Sequence, residues 1–212
     1  MARTLIIYGA AYLEPLKVLA AINALAPRFE LVGFLDDDPG LAGRVIAGFP
    51  VLGGRDQLPE LASRGHVFFH NVGGSPRASV QVAQLLRSAG CGLTSLVDPG
   101  VRLEGVELGQ NCFVPQGCVL GYGAQLGDFV ACRLGVVVSH GVRVGNNVSL
   151  SVRATIAGRS VIEDECFLGA SCTVVQVRIG RGSTVGAGAV VLHDIAPGST
   201  VVGVPAKPIA QR

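Results

Sequence analysis

Residues 108–173 read, in sixes, LGQNCF VPQGCV LGYGAQ LGDFVA CRLGVV VSHGVR VGNNVS LSVRAT IAGRSV IEDECF LGASCT. The first place of each hexad is aliphatic or Cys132, and Val174 adds a twelfth in unbroken phase. The fifth place holds Cys112, Cys118, Ala124, Val130, Val136, Val142, Val148, Ala154, Ser160, Cys166 and Cys172, all small or Val. Arg178 interrupts this second column; the frame then slips by one residue and resumes at Ile179, Val185 and Val191. A period of six fits neither the 3.6-residue helix nor one long alternating strand, so it predicts a solenoid. Each hexad is expected to make one short strand and one corner, and three hexads one coil of a triangular parallel β-helix. The fifteen hexads then make about five coils. Gly follows the aliphatic residue at positions 109, 121, 127, 145, 169, 180 and 186, and is expected to permit the turn.

The same phase accounts for the cysteines. Cys112, Cys118, Cys166 and Cys172 fall in the small inward column and Cys132 in the aliphatic one, so core packing is expected rather than metal ligation or thiol chemistry. With 17 Lys and Arg against 15 Asp and Glu, no basic run and only 5 % aromatic residues, nucleic acid is not an expected partner. The apolar stretch Thr4–Leu13 falls well short of the roughly 20 residues a spanning helix needs. A cytoplasmic protein without a membrane span is expected.

Residues 1–97 have a different pattern. Leu5–Tyr8 reads as a strand, Leu13–Leu25 as a helix and Phe29–Leu35 as a second strand, which is a βαβ start. His66–Val72 suggests a third strand, Pro76–Ala89 a helix stopped by Gly90, and Leu93–Val97 a final strand. The expected organisation is a small α/β domain over 1–97, a β-helix over 98–200 and a tail over 201–212 that leaves the repeat and packs along the prism.

In such an α/β domain ligands bind beyond the carboxyl ends of the strands. Candidates are Gly9 to Tyr12 after the first strand, with Gly9 and Ala10 foremost, Asp36 and Asp37 after the second, and Asn71 to Arg77 after the third, with Gly73, Gly74 and Arg77 foremost. Gly9 alone also suits a plain tight turn, and the acidic run suits a solvated one. Gly73 and Gly74 would let a phosphate approach backbone N–H groups, with Arg77 adding charge. In the β-helix, His140 stands in the third place of its hexad, which projects outward. An outward imidazole suits a general base, although a surface His is often incidental. Gly158 lies one 18-residue coil further on, so its backbone N–H would stack beside His140, where an oxyanion could be stabilised. No three-His set is available in the repeat for zinc.

Four strings occur in order: GFLDDDP at 33–39, PVLG at 50–53, VVSHGV at 137–142 and GVPAK at 203–207. Together they resemble the bacterial sugar O- and N-acyltransferases typified by sialic acid O-acetyltransferase and UDP-N-acetylbacillosamine N-acetyltransferase. The resemblance implies a Rossmann-like domain that holds a nucleotide-linked sugar, followed by a left-handed β-helix in a homotrimer with acetyl-CoA in clefts between prisms. It implies His140 as the base that deprotonates the acceptor amine or hydroxyl. Gly169, Ala170, Gly186 and Ala187 would let the pantetheine arm approach the backbone, and Lys207 would meet a CoA phosphate; β-helix corners need small residues in any case. No metal is implied. Gly141 stands where the family has an acidic residue, Ser149 where it has a second His, and Val152 where it has a Pro. The turn after the first strand has one Gly in place of several. A trimeric nucleotide-sugar-binding scaffold without catalysis is the alternative, and CoA binding discriminates the two.

Overall fold

The computed structural model describes residues 2–73 and 76–209. The chain divides into two compact units, Met1–Leu96 and Val97–Arg212. In the first, the elements run β1 (Arg3–Tyr8), α1 (Glu14–Leu25), β2 (Phe29–Leu35), a hairpin of β3 (Val45–Ile46) and β4 (Phe49–Pro50), α2 (Leu58–Ser63), β5 (Val67–His70), α3 (Pro76–Ser88) and β6 (Gly92–Leu93). Strands β2, β1, β5 and β6 lie in that order in one parallel sheet. The central β1 shows why its sequence is an unbroken apolar run: Leu5, Ile6, Ile7 and Tyr8 are all buried. α1 has Pro in its first turn and buries Pro15, Val18, Leu19 and Ile22 at helical spacing. The Asn23 side chain then accepts the Arg28 and Phe29 N–H groups and donates to the Phe29 carbonyl, which aims the chain into β2.

One expectation changes here. The strand expected over Leu93–Val97 is divided: Gly92–Leu93 joins the first sheet and Leu96–Val97 forms a separate strand. The segment between β2 and β5, which carries no clear period, forms the hairpin and α2.

The second unit is the β-helix. Its two-residue strands collect into three parallel sheets, each taking every third strand. The register advances by 18 residues, as in Ala131↔Ser149, Val137↔Thr155 and Arg143↔Val161. It falls to 17 across the slip, as in Val161↔Arg178 and Thr173↔Val190, and the shortened corner is absorbed by Gln176 at φ 52°. The two inward columns form one continuous core from Val101 to Val201. The buried thiols of Cys112, Cys118 and Cys166 also donate to the carbonyls of Gly127, Arg133 and Gly180 in the following coil, at 3.1–3.3 Å.

The reason for the glycines needs correcting. None of the seven glycines that follow an aliphatic residue has a positive φ. A Cβ on Gly109 would come within 2.5 Å of the Gly127 backbone, and one on Gly169 within 2.5 Å of the Ala187 nitrogen, so these glycines permit close stacking of coils. The left-handed turn sits two places later, at Gly117, Gly123, Gly135 and Gly141, and equally at Asn111, Phe129, Arg153 and Arg159. Non-glycine residues tolerate it because the N–H there reaches back to the preceding coil, as Arg159 does to the His140 carbonyl at 3.0 Å. The tail also departs from expectation. Thr200–Val202 still adds a parallel strand against Thr184–Val185, and the chain then reverses so that Lys207–Pro208 pairs antiparallel to it. No helix among the described residues is long and apolar enough to cross a membrane.

Candidate active site

The third place of each hexad projects outward at a corner, and its backbone N–H points along the prism axis toward the next coil. Along one edge these groups are capped by side chains. The N–H groups of Gln110, Asp128 and Asn146 donate at 2.8 Å to Oδ1 of Asp128, Asn146 and Asp164, each 18 residues on. The edge that carries Tyr122, His140 and Gly158 has no such ladder among the described residues, and Gly158, one coil beyond His140, has no side chain with which to cap the His140 N–H. No acceptor takes the Gly158 N–H among the described residues.

His140 is exposed and its imidazole lies against Gly158. A Cβ at 158 would fall 2.6 Å from Nε2 and 3.0 Å from Nδ1 of that ring, so only glycine leaves room for it. The backbone of His140 is held from both sides: Gly141 donates to the Tyr122 carbonyl at 3.1 Å, and Arg159 donates to the His140 carbonyl. The Ser139 hydroxyl lies 3.2 Å from Nδ1. Sequence reasoning paired His140 with Gly158 through the 18-residue coil but overlooked Ser139, whose signal was its presence in a column where Gly is common.

Gly169, Ala170, Gly186 and Ala187 line a different edge from His140; the two edges flank one face. On that face Val119, Val137, Thr155, Thr173 and Val190 form the outward row, without a charge. Ala170 and Ala187 are exposed, whereas Gly169 and Gly186 are demanded by contacts with the following coil. Lys207 is exposed on the returning strand. A separate groove of about 610 Å³ follows a second face, lined by Glu107, Gln125, Arg143, Glu163 and Arg181.

In the first unit, β1 is followed in the sheet by β2 on one side and β5 on the other, which creates a switch point at their carboxyl ends. Gly9 (φ +107°) passes so close to Asn71 that a Cβ would be 2.9 Å from its backbone. Asn71 secures this approach by donating through Nδ2 to the carbonyls of Gly9 and Tyr12. The Gly9 N–H is taken by the Leu35 carbonyl, and the Ala10 N–H by Asp36 Oδ2 at 2.8 Å. Asp37 accepts from the Tyr8 hydroxyl, the Arg55 guanidinium and the Arg55 N–H. Burial pushes the Asp37 carboxyl up, but the Arg55 and Tyr8 hydrogen bonds outweigh it and hold the group below the ordinary carboxylate range. Both acidic residues thus spend much of their hydrogen-bonding capacity within the protein. Gly73 and Arg77 are exposed, and Gly74 lies outside the described residues. Asn71 lies within the candidate segment after the third strand, whereas Arg55, which binds Asp37, stands in a segment with no periodic pattern.

A family signature described as the hexapeptide repeat of succinyl-transferase matches residues 160–193. The acetyltransferase domain of PglB from Neisseria gonorrhoeae superposes with a TM-score of 0.87 at 30% identity, over 98% of this chain and 100% of that one. The chain belongs to the hexapeptide-repeat acyltransferase family. PerB from Caulobacter crescentus, solved in complex with CoA and GDP-perosamine, matches this family member with a TM-score of 0.86 at 27% identity, over 98% and 97% of the two chains. The serine acetyltransferase of Bacillus licheniformis is 35% identical over 100 residues, 42% of this chain and 46% of that protein. The chain spans less than half the length of the first curated relatives it matches.

Proposed function

We propose that the protein is a CoA-dependent acyltransferase that moves an acetyl group from acetyl-CoA to an amino or hydroxyl group of a nucleotide-linked sugar. The observation that carries this reading is the exposed His140 imidazole seated against Gly158 at an edge whose N–H groups are left uncapped. Its similarity to PerB, solved with CoA and a nucleotide sugar, supports the two substrate classes.

Acetyl-CoA supplies an activated thioester carbonyl. Nε2 of His140 takes the proton of the acceptor as that group attacks the carbonyl, and later returns it to the departing thiolate. The Gly158 N–H is the donor proposed for the oxygen on which negative charge develops; an oxyanion donor of this kind is worth about 10²–10³ in kcat. Ala170 and Ala187 fit a pantetheine arm running against the backbone, and Lys207 fits a CoA phosphate. The 1–97 unit, read as Rossmann-like, is proposed to hold the nucleotide at the switch point, with Gly9, Ala10, Asp36, Asp37, Gly73 and Arg77 as the residues proposed to contact it. The uncharged outward row of Val119, Val137, Thr155, Thr173 and Val190 supports a homotrimer.

The test is acetyl transfer from acetyl-CoA to a panel of UDP-, GDP- and dTDP-linked amino sugars, read by product mass, for wild type beside His140→Ala. Transfer that is lost in the variant, with acetyl-CoA affinity retained, is the expected result. Full turnover in the variant would remove His140 from the chemistry. No transfer and no acetyl-CoA binding by the wild type would favour the scaffold reading.

A further inference from the structure

We propose that Ser139 is a positioning residue for His140: its hydroxyl oxygen accepts the Nδ1–H of the imidazole, which leaves Nε2 unprotonated beside Gly158. The inference rests on the reading of His140 as the base and adds the residue that sets its tautomer. Three observations lead to it. The Ser139 hydroxyl is 3.2 Å from Nδ1 and is the one hydrogen-bond partner recorded for the ring among the described residues. The residue that follows His140 is Gly141, which has no side chain to orient the imidazole from the other side. Ser139 itself is fixed, since its N–H donates to the Ile156 carbonyl of the next coil at 2.9 Å, immediately after the Val137–Val138 strand.

The imidazole lies over Gly158 through Cε1, Nε2 and Nδ1 together, and of its two nitrogens only Nδ1 has a side-chain partner among the described residues, the Ser139 hydroxyl, while Nε2 has none. The tautomer of a neutral imidazole is set by the hydrogen bond its other nitrogen makes. With Nδ1 as donor to the Ser139 oxygen, the lone pair is on Nε2, where an acceptor group can be deprotonated. A hydroxyl performs this orientation without placing a negative charge beside the ring, so Ser139 supplies geometry rather than electrostatic stabilisation of an imidazolium.

The experiment uses the full chain in three forms: wild type, Ser139→Ala and Ser139→Thr, with His140→Ala as reference. Nitrogen-15 NMR of the histidine side chains, at a pH where the imidazole is neutral, reads the His140 tautomer directly and needs no acceptor. The wild type and Ser139→Thr are expected to hold the Nδ1–H form, and Ser139→Ala to shift toward Nε2–H. In the acetyl-transfer assay, Ser139→Ala is expected to lose about tenfold in kcat while KM for acetyl-CoA is unchanged, with Ser139→Thr restoring most of the loss. An unchanged tautomer and unchanged kcat in Ser139→Ala, with His140→Ala inactive, overturns the role of Ser139 and leaves the base in place. Full turnover in His140→Ala overturns the base and the positioning role together.

Discussion

His140 and Gly158 depend on each other at the level of single side chains. Gly158 has ordinary backbone angles, since it is not among the residues with positive φ, so alanine can be placed there without torsional cost. Its methyl group would nevertheless collide with the imidazole. Gly158→Ala is therefore expected to leave the melting temperature close to wild type and to lower kcat about 10²-fold by displacing the ring, in the range that small misplacements of catalytic groups cost. Steady-state kinetics beside a thermal melt separate the two effects. Asp37 provides a pH prediction of the opposite kind, on stability. Its folded-state carboxyl is held below the ordinary value, so as pH falls the unfolded chain takes up the proton first. The stabilisation is present above the unfolded value of roughly 4 and is lost as pH drops through the folded one. Asp37→Asn should melt below wild type at pH 7, and the gap should narrow as the pH falls below about 4; a gap that stays constant on acidification would remove Asp37 from the acid response. The cysteines complete the residue scale. Burial pushes the thiols of Cys118, Cys166 and Cys172 up to about 11, which keeps them protonated at neutral pH and agrees with a packing role.

The coil is the next scale, and its edges differ in how they satisfy backbone donors. Where Asp128, Asn146 and Asp164 stand one above another, each side chain caps the N–H of the coil before it. Asn146→Ala would leave the Asp128 N–H without this acceptor and is expected to cost about 1 kcal/mol, whereas Asn146→Asp preserves the acceptor and should cost less. Urea denaturation of both variants checks the ordering. At this scale the hexad strands were legible because inward places recur with a fixed period, and a period survives without knowledge of any contact. The physical role of the glycines was not legible, because close coil stacking and a left-handed turn both select for glycine. Only the φ values and the coil-to-coil distances separate them. The hairpin β3–β4 and helix α2 were missed for a related reason: short elements of two to six residues contain too few turns or alternations to display a period.

For the whole molecule, the proposed assembly is testable through the uncharged face. Val137→Glu places a carboxylate in the middle of the outward row of Val119, Val137 and Thr155, away from both inward columns. The wild type is expected to sediment as a trimer and the variant as a smaller species with an intact β-sheet circular dichroism spectrum; a variant that remains trimeric would place the interface elsewhere. The linear order of residues determined the β-helix, its coil count, the inward cysteines and the pairing of His140 with Gly158, because in a solenoid contacts between coils recur at a constant separation along the chain. The tertiary structure alone decided the contacts that follow no period. Those are the Ser139 hydroxyl at Nδ1, the Asn71 clasp on Gly9, the Arg55 and Tyr8 donors on Asp37, and the uncapped N–H of Gly158. Each depends on where a side chain points once its backbone is fixed, and rotamer direction and hydrogen-bond competition leave no periodic trace in a sequence.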